Sequence, residues 1–230
     1  MMKNLEENKL MIPKWFSLPK ARKIQQEFAK KVVIKEISLK NVKTICGFDV
    51  AYKGEDAYVS AIILKFEDLS MLEFNVLKLP VKFPYIPTLL SFREAPLIFK
   101  AFSLLKIKPD VLMVEGHGLA HPYGCGLATH VGIVLKLPTI GIAKKLLCGF
   151  EGKFMDGKAK VIYNGRVVGY AVKVKSESKP IYVSVGNMLT LEDALKITCK
   201  CFKGGRLPEP LRLAHIYAEK YKRKNLKERV

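Results

Sequence analysis

The sequence predicts an α/β fold built on a mixed sheet, and three observations carry that expectation. Val111-Leu112-Met113-Val114 has no polar member, as in a strand buried on both faces of a mostly parallel sheet, and Gly116 and Gly118 stop its continuation. Upstream, the β-rich runs Ile45 to Tyr52, Ala57 to Phe66 and Leu69 to Leu79 follow one another closely enough to read as three consecutive antiparallel strands. Downstream, a glycine-rich loop, the apolar run Leu127 to Leu137 and the strand Pro138 to Ala143 form a parallel crossover, whose two carboxyl ends are neighbours. At 230 residues and 49% hydrophobic, the chain is expected to form one elaborated domain rather than two.

The remaining elements follow in order. After a polar lead, Pro19 to Val33 places Ala21, Ile24, Phe28 and Val32 at helical spacing among Lys, Arg and Gln, which predicts an amphipathic helix lying on the domain. Phe83-Pro84-Tyr85-Ile86-Pro87 is a loop stiffened by prolines; an apolar pair held so rigidly suits a wedge between base steps, and Tyr85 equally suits core packing beside a turn. Ser91-x-x-Glu94 matches a helix capping box, but Pro96 would then fall inside the helix. A helix from about Pro96 to Lys106 is expected instead, with Glu94 in the approach loop. Asn164-Gly165 inside Val161 to Tyr170 predicts a two-residue hairpin, followed by a strand at Ile181 to Val185. Helices from Leu191 to Phe202 and from Pro210 to about Arg223 close the domain, and the basic tail from Lys220 onward is expected to fray.

Several polar residues stand out against this framework. Asp49 sits in the middle of an apolar strand, where an ionised carboxylate costs several kcal/mol unless it is paired or holds a metal. Glu115 ends a buried strand at the carboxyl edge, where open α/β sheets bind ligands, and Lys144 ends the next strand. With Glu94 these carboxylates make a possible set of hard oxygen ligands for Mg²⁺ or Mn²⁺. His117 and His121 are four apart, but Gly118 and Pro122 disfavour the helical arrangement that zinc hydrolysis would use.

Charge narrows the partners. Forty Lys+Arg against 21 Asp+Glu leave a net +19, which attracts polyanions, nucleic acid first among them. Five Cys without a C-x-x-C pair indicate neither a disulfide framework nor a zinc finger and fit a reducing cytoplasm. No apolar run approaches a membrane span, and Met1 to Glu7 lacks a signal-peptide core.

These residues resemble the endonuclease V family. The likeness runs from about Ile45 to Ala143 and resumes near His215, carried by Gly47-Phe48-Asp49-Val50-Ala51-Tyr52, Pro84-Tyr85-Ile86-Pro87, Ser91-Phe92-Arg93-Glu94, Gly116-His117-Gly118-x-Ala120-His121-Pro122 and Ile140-Gly141-Ile142-Ala143-Lys144. It implies an RNase H-like sheet with helices on both faces, in a monomer. The implied activity is Mg²⁺-dependent, with Mn²⁺ as a substitute, and nicks DNA, and in some members RNA, at the second phosphodiester bond 3′ to a deaminated adenine. By the same likeness Asp49 and Glu115 are the principal metal ligands, Glu94 a second-metal or supporting carboxylate, Lys144 the active-site lysine and His215 a residue beside the metal site. Pro84, Tyr85, Ile86 and Pro87 become the strand-separating wedge, with His121 also at the DNA. Thr88, Leu90, Gly116, Gly126, Leu127 and Ala143 become the walls of a pocket for the flipped hypoxanthine. Two positions depart from the family pattern: Glu115 stands where Asp is usual, and Thr88 where Gly follows the wedge. The departures keep open a protein that binds inosine but cuts it slowly or not at all. A structure-selective nuclease without inosine preference is a further reading.

Overall fold

The computed structural model describes Pro13 and residues 16–227; the polar lead and the last residues of the tail lie outside that range. Its centre is a nine-stranded sheet in the order β3-β2-β1-β4-β5-β9-β8-β7-β6. The first three strands, β1 (Thr44–Lys53), β2 (Asp56–Lys65) and β3 (Met71–Pro80), are antiparallel neighbours, as their alternation with short turns dictates. β4 (Val111–Glu115) runs parallel to β1, and β5 (Thr139–Ala143) parallel to β4, so three carboxyl ends meet at one edge. β9 (Ile181–Asn187) returns antiparallel to β5, and β6 (Phe150–Glu151), β7 (Lys158–Tyr163) and β8 (Arg166–Val172) extend the sheet beyond it. Asn164 (φ 49°) and Gly165 (φ 71°) both adopt the left-handed backbone that a tight β7–β8 turn needs.

Helices cover both faces. On one, α2 (Leu90–Phe102) and α3 (Leu127–Leu135) bury Ile98, Ala101 and Val131 against Cys46, Phe48, Leu112 and Val114. On the other, α4 (Leu191–Lys200) and α5 (Glu209–Lys227) bury Ile197, Leu211 and Ala214 against Ile45, Ile62 and Met113. Residues alternate between these faces along each strand, and Asp49 falls on the α5 side. α1 (Leu18–Lys30) lies over α3, with Phe28 edge-on to His130 at 4.9 Å.

Two elements differ from expectation. α2 begins at Leu90 and carries Pro96 in its interior, so Glu94 belongs to the helix and not to an approach loop. Tertiary contacts hold its first turns: Arg93 donates to the Phe83 carbonyl at 2.7 Å and stacks 4.3 Å over the Tyr52 ring, while Ser91, Glu94 and Ala95 are buried. These offset the roughly 3 kcal/mol that an interior proline costs. No capping box forms; Leu89 is the N-cap, without a side-chain hydrogen bond, and Glu94 turns to Tyr52. The second difference is at the end, where α5 stays helical through Lys227 instead of fraying from Lys220. Tyr221 packs beside Ala51, Tyr58 and Ala218, and Glu219 pairs with Lys222, which together carry the helix outward.

Candidate active site

The sheet register assembles the acids. β1 and β4 pair Phe48 with Val114, so the next residues, Asp49 and Glu115, emerge side by side at the carboxyl edge. β5 pairs Ile142 with Glu115, and two residues on, Lys144 Nζ lies 2.6 Å from Glu115 Oε1. From the α5 face, His215 Nδ1 lies 2.8 Å from Asp49 Oδ2. A carboxylate only accepts, so Nδ1 carries a proton. From the α2 face comes Glu94, 8% exposed, whose Oε1 accepts a 2.8 Å hydrogen bond from the Tyr52 hydroxyl.

Packing this many acids at a buried edge has an electrostatic consequence. Burial pushes the Glu94 carboxyl up to about 8; Asp49 and Glu115 add to the effect, while the Tyr52 hydroxyl opposes it. Glu115 is raised as well, by burial first and then by Asp49, with Lys144 opposing. Ligand atoms of Asp49, Glu115 and His215 all lie within 4.8 Å of one another, a spacing one cation can bridge. Two carboxylate oxygens and an imidazole nitrogen, with a further acid close by, fit a divalent ion of the Mg²⁺ or Mn²⁺ type; such an ion would relieve the repulsion that raises these carboxyls.

Beside Glu115 and Lys144 opens a cavity of about 430 Å³, within the roughly 300–1,000 Å³ range of small-ligand pockets. Thr88 and Leu90 form one wall, Gly116, Gly126 and Leu127 a second, and Ala143 a third, so all six residues expected at a base pocket do line it. Glycine is required in the second wall: a Cβ at Gly126 would lie 2.2 Å from the His117 carbonyl oxygen. Tyr85 stands at the rim, 60% exposed, and is not packed in the core. Its neighbour Ile86 anchors the loop against Phe83 and Leu89. His121, expected at the DNA, is buried; burial pushes its imidazole down to about 4, and its ring accepts from the Tyr123 N–H through Nδ1 (3.2 Å) and donates to the Thr88 carbonyl through Nε2 (3.1 Å).

Thr88 holds φ at +68°, a left-handed conformation that is costly for a β-branched residue. Donors from two further residues converge on its carbonyl beside His121: Gln25 Nε2 at 2.7 Å and Arg22 Nη1 at 3.4 Å. Gln25, fully buried, also donates to the Cys125 carbonyl at 3.2 Å, tying two walls of the cavity to α1. Sequence reasoning missed Gln25; the one available signal was an uncharged polar side chain near the apolar stripe of α1. It also missed Arg206, which donates to the Lys144 carbonyl at 3.1 Å and the Pro180 carbonyl at 3.0 Å and so steadies the segment bearing Lys144.

A sheet edge that gathers three acids and a lysine next to a ligand-sized cavity, on a chain of net +19, is suited to hydrolysing phosphodiesters, and the sheet order is that of an RNase H-like fold. The comparisons with known proteins agree. The family model described as endonuclease V matches residues 26–216, and the chain belongs to that family. The endonuclease V of Thermofilum pendens is 43% identical over 219 residues, spanning 95% of this chain and 94% of its relative. Among solved structures, endonuclease V from Streptomyces avermitilis superposes with a TM-score of 0.85 at 30% identity, covering 94% of this chain and 98% of that one. Ciona intestinalis endonuclease V, in complex with a 24mer DNA containing an inosine followed by a ribo-adenosine, gives 0.83 at 29%, covering 90% and 98%. The chain is accordingly an endonuclease, a hydrolase acting on DNA in a repair family. Among the described residues no helix is long and apolar enough to cross a membrane.

Proposed function

We propose that this endonuclease nicks DNA at the second phosphodiester bond 3′ to deoxyinosine, leaving 3′-hydroxyl and 5′-phosphate ends, with Mg²⁺ as its ion and Mn²⁺ as a substitute. The observation that carries the reading is the cavity of about 430 Å³ opening directly beside Glu115 and Lys144, where a flipped base and the backbone 3′ to it can be held at once. Inosine-containing RNA presents the same base and is a second substrate of this reading. The protein acts as a single-domain monomer in the cytoplasm, where its free thiols stay reduced.

The roles follow from position. Tyr85, rigid between Pro84 and Pro87 and exposed at the rim, fills the gap left by the extruded base; extrusion costs a few kcal/mol and least at a mispaired base, so part of the selectivity lies in the DNA. The walls at Thr88, Leu90, Gly116, Gly126, Leu127 and Ala143 enclose hypoxanthine, and His121 works from behind by holding Thr88. Asp49, Glu115 and His215 hold the ion, with Glu94 as the supporting acid. When bound, that ion makes water more acidic and neutralises charge developing on phosphate. Lys144 exchanges its Glu115 partner for a phosphate oxygen. Water adds to phosphorus in line as the P–O3′ bond breaks, the proton the water loses passes to solvent and the departing O3′ takes one from solvent in return, and Asp49 keeps the His215 ring oriented throughout.

A second reading has one observation in its favour. Glu115 is committed to Lys144 at 2.6 Å, so both groups must be released before substrate and ion are engaged, and a protein that binds inosine but cuts slowly would show this. Matched duplex and single-stranded oligonucleotides, with and without one inosine, incubated in Mg²⁺, Mn²⁺ or chelator, separate the readings. The proposal expects a metal-dependent nick on the inosine strand alone; tight inosine binding without a nick in either metal establishes the binder, and cutting of undamaged mismatches or flaps establishes a structure-selective nuclease.

A further inference from the structure

The metal cluster has two flanks, and only one is used by the base cavity. The cavity lies on the α2 and α3 side of the sheet edge; on the opposite face α5 runs along β1, with Pro210 against Gly47, the Ala214 carbonyl accepting from Ser60 Oγ at 2.6 Å, and Ala218 against Ala51. α5 therefore passes Asp49 at the level of His215 and continues outward past the carboxyl edge. Its outer half carries a second, open groove of about 540 Å³ along one face of the helix, bounded by His215, Ile216, Glu219, Lys220, Arg223 and Lys224, all from α5, so the metal-site histidine and three basic side chains share that face. Glu219 is the acid on this face; it holds Lys222 and lies 3.9 Å from Arg223 Nε, while Lys224 Nζ sits 5.7 Å from the Tyr221 ring centroid.

We propose that this groove is the track for the cleaved strand on the 3′ side of the cut, with Lys220, Arg223 and Lys224 taking successive backbone phosphates. The partner class follows from charge and continuity: a row of cations leading away from a phosphodiester-cutting centre fits the same polyanion that enters it. The polarity follows from order in space. A strand whose base occupies the cavity must cross the edge at Asp49 and Glu115 to be cut and then descend onto α5; since the proposed cut lies 3′ to that base, α5 receives what lies further 3′. This polarity rests on the proposed cut position. From His215 to Lys224 the helix rises about 14 Å, long enough to run beside more than one nucleotide of the strand.

The test uses the full chain and two series of inosine oligonucleotides, one shortened stepwise on the 3′ side of the cut and one on the 5′ side. For the unaltered protein, KM should climb once the 3′ arm becomes too short to reach Lys224. The triple variant Lys220→Gln, Arg223→Gln, Lys224→Gln should lose this dependence while keeping kcat and its dependence on the 5′ arm. Its log–log salt slope for binding should shrink by about 2, the value for three phosphates released from single strands at about 0.7 each. Gln keeps the helix, and an unchanged unfolding midpoint confirms it. A variant that retains both the salt slope and the 3′-arm dependence overturns the track, and so does one that loses 5′-arm dependence while the nick still falls 3′ to inosine. If the unaltered protein does not nick at inosine, the proposed function fails instead, and the salt slope on uncut DNA still judges the groove.

Discussion

Glu115 concentrates the chemistry of the site in one side chain. Its extra methylene relative to Asp moves the carboxylate by about 1.5 Å, which lets it reach Lys144 as well as the position shared with Asp49 and His215. If Glu115 is a ligand slightly too long for an octahedral Mg²⁺ site, Glu115→Asp preserves or raises the Mg²⁺-supported rate, and Glu115→Gln, equal in size but uncharged, abolishes it; Mn²⁺ narrows the deficit of the unaltered protein. Rates in each metal, taken with unfolding midpoints, check this, and a fully active Glu115→Gln protein removes the ligand assignment. Asp49 and Glu115 were legible as site residues because a carboxylate at the middle or end of an apolar strand is costly unless a cation or a donor sits beside it. Gln25 was not: its partners at Thr88 and Cys125 lie 63 and 100 residues away, and nothing local in α1 records them.

At the scale of elements, strands β1 to β5 were read well, while β6 and the start of α2 were not. Alternation and apolar runs report burial directly, so β1 to β5 appear within a residue or two of their expected places. Pro96 reports only a local cost, and that cost was outweighed by the stacking of Arg93 on Tyr52 and the burial of Ser91, Glu94 and Ala95, none of which neighbouring sequence reveals. The result brings Glu94 to the cluster on a rigid helix instead of a loop. The loop from Pro84 to Pro87 was read as rigid from its prolines, and α1 makes it more so by gripping the Thr88 carbonyl through Gln25 and Arg22. Tyr85→Ala, exposed and outside the core, should therefore leave the unfolding midpoint unchanged and reduce nicking of duplex more than of single-stranded inosine DNA, because only the duplex must be opened. Equal losses on both substrates would assign Tyr85 to contacts other than strand opening.

At the scale of the whole molecule, the fold gathers acids at a buried edge at a cost that a bound divalent ion would remove. The crossover from β4 to β5 made the meeting of Glu115 with Lys144 foreseeable, whereas the approach of α5 from the opposite face, and with it the Asp49–His215 contact, depended on packing between residues 166 positions apart. The cost has a measurable sign. Glu94 titrates near 8 in the fold against about 4.3 unfolded, so stability is lost as pH rises through that interval. His121 and His130, pushed down to about 4 by burial, act oppositely below about 6.5, the unfolded histidine value, which leaves pH 6.5 to 8 as the window in which the raised carboxyls dominate, Glu115 up to about 7 and Glu94 to about 8. There the loss is on the order of 2 kcal/mol, or roughly 5 °C in midpoint for a chain of this size. The most direct measurement is the thermal unfolding midpoint across that window in chelator and in saturating Mg²⁺, for the unaltered protein and Glu94→Gln. The expected result is a midpoint that falls with pH in chelator, a curve raised and flattened by Mg²⁺, and a chelator curve in Glu94→Gln that falls less steeply, the remainder coming from Glu115; a midpoint that Mg²⁺ leaves unmoved at pH 8 would contradict a metal centre at this edge.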